Sequence, residues 1–214
     1  VAAGAYFNMV VVNLSCPFFK LVLNYKSHRH CADMGTGTWR LESQRNNANN
    51  MSVNLINQRE FRDAMGCFAC AVTVISTTTP DGQAVGVTVN SFNSVSLDPP
   101  LVLFCLGREA TKFDDFLASG QFTVNILRQG QDNISDGFAA DGGNFFQTMD
   151  SYTSALGNPL VPDALAIFDC ETETVHDGGD HVILIGRVIE LRHDHEGDPL
   201  IYYRGRYCNV SFTG

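Results

Sequence analysis

Basic residues are scarce in this sequence. Its 214 residues include 14 Lys and Arg against 23 Asp and Glu, which gives a formal net charge of −9. Nucleic-acid binding needs a basic stripe that neutralises phosphates, so this composition argues against a nucleic-acid partner. It also provides no long-range attraction for an anionic dinucleotide, and local groups must therefore hold any such ligand.

Long apolar runs are also missing. The longest one near the N-terminus covers residues 9–12, and no positive charge precedes it. No window of the sequence is long enough to span a membrane. We therefore expect neither a signal peptide nor a membrane partner, and we expect the protein to be cytoplasmic.

Cysteines are too few for a disulfide-stabilised secreted domain. There are seven, an odd number, and this density favours reduced thiols in a cytoplasmic protein. Cys67 and Cys70 form one C-x-x-C pair, but no second pair stands at metal-ligand spacing. We therefore expect no metal site and no thiol redox chemistry there. His193 and His195, which flank Asp194, are interpreted as part of a solvated turn.

A Rossmann domain is not indicated, because the sequence has no G-x-G-x-x-G followed by an acidic residue. Instead, β-rich segments alternate with turn signals from residue 69 onward. The pattern predicts strands at residues 71–76, 83–90, 101–106, 121–127, 164–176, 181–191 and 200–207, with residues 101–106 buried on both faces. Helices are expected at residues 111–119, with Thr111 as N-cap, and at residues 131–140. Many antiparallel strands and few helices favour a mainly β fold that closes into a barrel.

The charge is unevenly distributed along the chain. Residues 1–50 contain five basic and two acidic residues, so they carry +3 and the remaining residues carry −12. Residues 41–50 are polar and typical of a linker, and a capping-box-like helix start at Asn57 and Glu60 follows Met51. We predict that residues 51–214 form the domain and that residues 1–50 are translated upstream sequence outside it. The alternative is a real extension that packs on the barrel or on a neighbouring molecule.

Five small polar side chains surround one phenylalanine after the second predicted strand. They are Thr88, Asn90, Ser91, Ser94 and Ser96. A plain barrel corner needs only a Gly or an Asn, whereas this cluster offers many donors and acceptors with little bulk. A flat polar ligand can therefore lie against the backbone here. The alternative is that they are ordinary strand and corner residues.

Two further groups of residues carry charge next to predicted strands. Arg108, Thr111 and Lys112 combine cations and a hydroxyl with a predicted helix start, which is the composition of an anion site. Residues 203–207 read Tyr-Arg-Gly-Arg-Tyr, and such aromatics and arginines stack on rings and pair with pyrophosphate. In both places the alternative is that the cations are solvated.

A pair of glycines precedes His181. Gly178 and Gly179 allow a tight turn, and Asp180 is expected to orient that turn. A neutral imidazole at this place can hydrogen-bond a carboxamide or transfer a proton. The alternative is a structural histidine at the start of a strand.

Three blocks of the sequence closely resemble the short-chain flavin reductases, which are reductase components of two-component flavin monooxygenases. They are FRDAMGCFACAVTVIST, the stretch DGQAVGVTVNSFNSVSLDPPLVLFCL, and GDHVILIGRV with PLIYYRGRY near the end. The resemblance runs from about Phe61 to Tyr207. It implies an FMN-binding split β-barrel with short peripheral helices, assembled as a homodimer with the flavin site close to the subunit interface.

The resemblance also implies roles for individual residues. His181 faces the nicotinamide side of the flavin and is the expected catalytic residue. Arg108, Thr111 and Lys112 receive the flavin phosphate, and the C-terminal stretch lies near the cofactor cleft. The implied cofactor-binding residues are Thr88, Val89, Asn90, Ser91, Ser94, Val95, Ser96, Cys105, Arg108, Thr111, Lys112, His181, Tyr203, Arg204 and Arg206.

The expected function is NAD(P)H-dependent flavin reduction by hydride transfer from the nicotinamide to the flavin N5. FMN or FAD would be the flavin and NADH or NADPH the co-substrate, and a separate flavin-dependent monooxygenase would receive the reduced flavin. Two alternatives remain open. One is a flavin- or haem-binding split-barrel module without reductase turnover, and the other is a pyridoxamine-phosphate-oxidase-like enzyme.

Overall fold

The computed structural model describes residues 56–140, 144–150 and 152–211. Residues 1–50 and Met51 lie outside the described residues, so the predicted domain boundary stays a prediction. The described chain forms three α-helices, which are α1 (Gln58–Met65), α2 (Phe113–Ser119) and α3 (Asp132–Ala140), and a 3-10 helix at Asn144–Thr148. Its strands are β1 (Cys70–Ala71), β2 (Thr73–Thr78), β3 (Ala84–Val89), β4 (Asn93–Leu97), β5 (Pro100–Gly107), β6 (Gln121–Ile126), β7 (Tyr152–Thr153), β8 (Pro159–Leu160), β9 (Ala166–Gly178), β10 (His181–His193), β11 (Ile201–Tyr203) and β12 (Arg206–Cys208).

Seven strands form one antiparallel sheet in the order β3-β2-β6-β9-β10-β5-β4. Its two edge strands, β3 and β4, are consecutive in the chain and are joined by residues 90–92 only. So short a connection requires the sheet to curl until its edges approach each other, as twisted sheets do in barrels. The predicted mainly β, barrel-forming architecture is confirmed. Smaller sheets, β1-β11-β12 and β7-β8, accompany it.

The core lies on one side of β5. Phe104 of β5 packs edge-on against Phe122 of β6, with ring centroids 4.9 Å apart, and against Phe116 of α2 at 6.2 Å. All three side chains are at most 1% exposed. Truncating one such phenylalanine typically costs about 3–5 kcal/mol, so this cluster fixes β5 and α2 relative to the sheet.

The expectation that residues 101–106 are buried on both faces is wrong for one face. Val102, Phe104 and Leu106 are buried, whereas the residues between them are only half-buried. Side chains of a strand alternate between the two faces of the sheet, and only one face of β5 meets the core. The half-buried row leads along β5 to Cys105 and Gly107.

Two local predictions at the ends of elements are also wrong. Residues 200–207 form not one strand but the hairpin β11-β12, because Arg204 and Gly205 have φ values of 49° and 76° and turn the chain. Gly205 allows this, since glycine adopts positive φ without a steric penalty. Helix α2 begins at Phe113 with Lys112 as N-cap and has no capping side chain, so Thr111 is not its cap. The other predicted strands and the helix at residues 131–140 are confirmed within a few residues.

Within the described residues, no helix is long and apolar enough to cross a membrane.

Candidate functional site

The corner at residues 90–92 is fixed to β5 by one serine. Ser91 Oγ accepts a hydrogen bond from the Cys105 amide at 2.9 Å and donates one to the Cys105 carbonyl at 3.2 Å. Because this hydroxyl uses its donor and one acceptor position within the protein, Ser91 holds the corner against β5.

The end of β3 is tied to the elements beside it. Thr88 Oγ1 donates to the Ser135 carbonyl of α3 at 2.7 Å, and the Val89 carbonyl accepts from Thr73 Oγ1 at 3.0 Å. Both groups are therefore engaged within the protein. They hold the backbone that leads into the corner, and the donor of Thr88 is not free for a ligand.

Other side chains of the polar cluster are free to bind a ligand. In the described part of the chain, the side chains of Asn90, Ser94 and Ser96 have no hydrogen-bond partner, and Asn90 and Ser94 are exposed. Val95 lies at a register shift of β4 against β5. Such bulges re-aim the neighbouring side chains. The predicted cluster thus contains both residues that build the corner and residues whose polar groups are available.

His181 is the first residue of β10 and lies directly beside the end of β5. It pairs with Gly107, and two positions further on Ile183 pairs with Cys105, the residue that holds the corner. Asp180 Oδ1 lies 2.8 Å from His181 Nδ1. This hydrogen bond lowers the pKa of Asp180. The β-ladder therefore brings His181 and the polar corner to one end of the sheet, and the cofactor roles of these residues stay predictions.

Arg108 follows β5 directly and is engaged with the β9-β10 hairpin. Its guanidinium pairs with Asp177 and also donates to the Gly179 carbonyl at 3.2 Å. The Arg108 amide donates to the Asp180 carbonyl at 3.0 Å. The predicted phosphate-binding arginine therefore also contacts both sides of the turn that carries His181.

The start of α2 offers a cation and a hydroxyl beside two acidic residues. Thr111 is exposed, and Lys112 Nζ lies 3.7 Å from Asp115 Oδ2 in the first helical turn. Asp114 also lies in that turn. Since acidic residues already compensate the positive end of the helix dipole, phosphate binding here depends on Lys112 and Arg108, and it stays a prediction.

A groove of about 880 Å³ runs between α1, the corner and the β11-β12 turn. It brings together Asn90, Ser91 and Arg204 of the predicted site. Its other walls were not predicted from the sequence, and they include Tyr202 of β11 and the residues Arg62, Asp63, Met65, Gly66, Cys67, Phe68 and Cys70 at α1 and after it. Gly205 is the one sequence signal for this wall, because a turn centred on it predicts the hairpin that carries Tyr202 and Arg204.

The remaining predicted residues at the C-terminus lie around this hairpin. Arg204 stacks over the Tyr203 ring, with its Cζ 5.2 Å from the ring centroid. Arg206 is exposed. The Tyr207 hydroxyl donates to Asp136 Oδ1 at 2.6 Å and accepts from Ser135 Oγ at 2.9 Å, and burial is the main reason that the pKa of Tyr207 is raised. Tyr207 thus ties the hairpin to α3, the same helix that Thr88 contacts.

No cluster of metal-ligating side chains occurs among the described residues. Asp194 pairs with Arg128 at 2.6 Å, and the His193 and His195 rings contact each other with centroids 4.3 Å apart.

The comparison with protein families shows which family the chain belongs to. The model of the flavin reductase like domain matches residues 65–211. The chain belongs to this family. The FMN reductase (NADH) SmoA of Agrobacterium fabrum is 40% identical over 155 residues, which cover 72% of this chain and 87% of that protein. The reductase subunit HsaB of a flavin-dependent monooxygenase of Rhodococcus jostii is 39% identical over 160 residues, covering 75% and 82%.

Solved structures of the family share the fold. The NADH:FAD oxidoreductase SgcE6 of Streptomyces globisporus C-1027, solved in complex with NAD and FAD fragments, has a TM-score of 0.69 at 32% identity and covers 72% of this chain and 93% of its own. The fold is accordingly the split β-barrel of the flavin reductases.

The residues present fit a flavin by size and by chemistry. The groove volume lies within the range of pockets that bind small ligands and cofactors. Asn90 lines the groove and supplies an amide group without an internal partner among the described residues, which suits the polar edge of a flat ring. Ser94, outside the groove lining, offers an exposed hydroxyl on the next strand. Tyr202 lines the groove and offers an aromatic surface.

Proposed function

We propose that the protein is an NAD(P)H-dependent flavin reductase that supplies reduced FMN or FAD to a separate flavin-dependent monooxygenase. The observation that carries this proposal is the match of residues 65–211 to the flavin reductase like domain. The names of the relatives support NADH as the co-substrate and a separate oxygenase as the recipient. The position of the polar corner beside His181 supports a site for two cofactors.

The corner and the strand end beside it would hold the flavin. Asn90, Ser94 and Ser96 bind through their free polar groups, and the backbone of residues 88–96, including Val89 and Val95, is held in place by Thr88 and Ser91. Cys105 fixes the corner through its own amide and carbonyl. Arg108, Thr111 and Lys112 would supply positive charge and a hydroxyl for the phosphate. The C-terminal residues Tyr203, Arg204 and Arg206 would border the cofactor cleft.

Orientation is the main contribution of the chain to the reaction. A bound flavin supplies the hydride acceptor and a reduced nicotinamide the hydride. Holding the two rings in contact provides most of the rate enhancement in such a site. His181 would hydrogen-bond the nicotinamide carboxamide, and Asp180 would fix the ring through Nδ1. No side chain is required as a nucleophile.

We also propose a cytoplasmic homodimer. Phe61, Met65 and Phe68 are 56%, 53% and 65% exposed beside the groove, and contiguous exposed apolar surface of this kind usually meets a partner. The five described cysteines are all free, which suits a reducing compartment. Light scattering of the purified protein measures the mass of the assembly, and a monomer at micromolar concentration would contradict the dimer.

NADH oxidation in the presence of free flavin tests the function. We expect the absorbance of NADH to fall when FMN or FAD is added aerobically, with catalase present to remove peroxide. NADPH, riboflavin and a protein-free mixture are run in parallel. Flavin binding without NADH oxidation would point to a binding module, and oxidation of pyridoxamine phosphate would point to the other enzyme class.

A further inference from the structure

Two thiols that the reductase chemistry does not use line the groove, although the cysteine spacing in the sequence predicted no thiol redox chemistry there. Cys67 and Cys70 follow α1, and both side chains contribute to the groove wall together with Asn90 and Tyr202. Cys67 is exposed, whereas Cys70 is half-buried and pairs with Tyr202 in the β1-β11 ladder. The C-x-x-C pair therefore lies in the candidate cofactor groove.

The fold places a cation against the Cys67 sulfur. Arg204 Nη2 lies 3.8 Å from Cys67 Sγ, although the two residues are 137 positions apart in sequence. The Arg204 amide donates to the Gly66 carbonyl at 3.0 Å, so the contact is held by the backbone of the β11-β12 turn. Cys67 is also the main cause of a raised pKa of Arg204.

The other described cysteines have different surroundings. Burial and the neighbouring Asp169 raise the pKa of Cys170 to about 12, and Cys105 and Cys208 are half-buried. Among the described cysteines, Cys67 is the one that is exposed, and it lies beside a guanidinium. Accessibility next to positive charge is the environment that oxidation-sensitive cysteines share.

We propose that Cys67 is a peroxide-reactive thiol, that Cys70 resolves it, and that the resulting disulfide closes the groove to the cofactors. The inference rests on the proposed function for its oxidant, because reduced flavin that meets dioxygen instead of an oxygenase is oxidised and releases hydrogen peroxide. The protein would thereby stop producing reduced flavin when its product is not consumed.

The chemistry has two balanced steps. The Cys67 thiolate attacks one peroxide oxygen, an S–O bond forms, the O–O bond breaks and hydroxide leaves, which takes up a proton. The Cys70 thiol then loses its proton and attacks the Cys67 sulfur, an S–S bond forms and the S–O bond breaks, and the departing hydroxide takes up that proton and leaves as water. Two thiols are oxidised and one peroxide is reduced to two waters.

The disulfide would change the groove because it shortens the segment that carries Phe68, one of the lining residues. It also removes the Cys67 sulfur from its contact with Arg204. Loss of turnover should therefore follow the extent of oxidation and be reversed by dithiothreitol.

Mass spectrometry without flavin separates this inference from the proposed function. The reduced full-length protein is treated with hydrogen peroxide in the presence and absence of dimedone, which traps sulfenic acid. We expect a Cys67–Cys70 disulfide in the wild type and in the matched control Cys208→Ser. Cys70→Ser should carry a dimedone adduct on Cys67, and Cys67→Ser should form neither product. Equal or faster oxidation of Cys105 or Cys208, or an unmodified Cys67, would overturn the assignment.

Activity after removal of peroxide tests the regulatory part. Each variant is compared with its own untreated sample, so that effects of the substitution itself cancel. We expect peroxide to abolish NADH:flavin turnover in the wild type and in Cys208→Ser, with recovery in dithiothreitol, and to leave the turnover of Cys67→Ser unchanged. A disulfide that forms without loss of turnover would refute the closing of the groove. If neither the wild type nor any variant reduces flavin before treatment, the proposed function is wrong. Closure of the groove is then tested by flavin binding, which should be lost when the wild type is oxidised.

Discussion

Ser91 and Asn90 are neighbours with different tasks. The Ser91 hydroxyl is bonded twice to Cys105, whereas the Asn90 side chain is exposed and has no partner among the described residues. A neutral hydrogen bond contributes about 0.5–1.5 kcal/mol whether it lies within the protein or on a ligand. Substituting either residue should therefore cost a similar free energy, which appears as lost folding stability for Ser91 and as lost flavin affinity for Asn90.

We predict that Asn90→Ala and Ser94→Ala weaken flavin binding more than folding. Each removes one or two bonds to the flavin, so the dissociation constant should rise about two- to tenfold per bond, while the unfolding free energy stays nearly constant. Fluorescence titration with FMN and urea unfolding measure the two quantities. Ser91→Ala is the control, and it should lose folding stability. Unchanged flavin affinity in both alanine variants would remove the cluster from the site.

His181 allows a separation of nicotinamide binding from flavin binding. Its ring lies beside Gly107 and is hydrogen-bonded to Asp180. We predict that His181→Ala raises the KM for NADH or slows flavin reduction by about tenfold or less, the size of one hydrogen bond. Flavin affinity should barely change.

Stopped-flow reduction between about pH 6 and pH 8 extends this test, since proton transfer by an imidazole makes a reaction rate depend on pH. If the imidazole supplies a proton, the wild-type rate depends on pH and that of His181→Ala does not. Kinetics like those of the wild type in the variant would return His181 to a purely structural role.

At the scale of elements, the β9-β10 hairpin and the end of β5 act as one unit through Arg108. We predict that Arg108→Ala lowers affinity for FMN more than Asn90→Ala does, because a charge-assisted bond to phosphate is about twice as strong as a neutral one. Riboflavin, which has no phosphate, should lose much less. An equal loss for both would show that Arg108 acts through the hairpin contacts with Asp177 and Gly179 and not by binding the phosphate.

The loop after β10 is fastened by Arg128. Its hydrogen bond to Asp194 is the main reason that the pKa of Asp194 is lowered. A carboxylate with a lowered pKa contributes stability above its unfolded pKa, about 3.9, and loses that contribution as the pH falls through the folded value.

We therefore predict that Asp194→Asn lowers the unfolding free energy slightly near pH 7, since the pair is partly exposed and exposed ion pairs contribute little. The difference should shrink below about pH 4. Thermal and urea unfolding over this pH range measure the difference in unfolding free energy. Glu190→Gln is the matched control, because Glu190 forms a partly exposed ion pair with Arg192 within β10. A difference independent of pH would mean that the charge of Asp194 is not what stabilises the loop.

Elements with a local signal were predictable, and contacts between distant elements were not. The turn at Gly179 and the strands around it follow from glycines and β-rich runs. The position of Arg204 beside Cys67 depends on a turn at residues 204–205 and on pairing of β11 with β1, which sequence periodicity does not encode. The missing N-cap at Thr111 has a local origin instead, because the Phe113 amide donates to the Ala110 carbonyl and leaves Thr111 inside a turn.

For the whole molecule, the family resemblance predicted the split barrel. It did not predict which polar groups remain free, since that depends on partners such as Ser135 for Thr88 and Asp177 for Arg108. Half of the groove wall comes from α1 and the residues after it, where the sequence offers only an amphipathic helix. The site therefore forms where distant segments meet in the folded barrel, and no single sequence motif contains it.

The extent of the folding unit is the remaining prediction at this scale. The charge shift between residues 1–50 and the remainder, and the family match that begins at residue 65, favour a domain that needs no residue before Met51. We predict that a protein beginning at Met51 has the same urea-unfolding midpoint and the same rate of flavin reduction as the full chain.

A protein beginning at Gly66 is the contrasting variant, because it lacks α1 and with it Arg62 and Met65 of the groove, and it should lose flavin affinity. If the chain that begins at Met51 is insoluble or inactive, residues 1–50 belong to the domain after all.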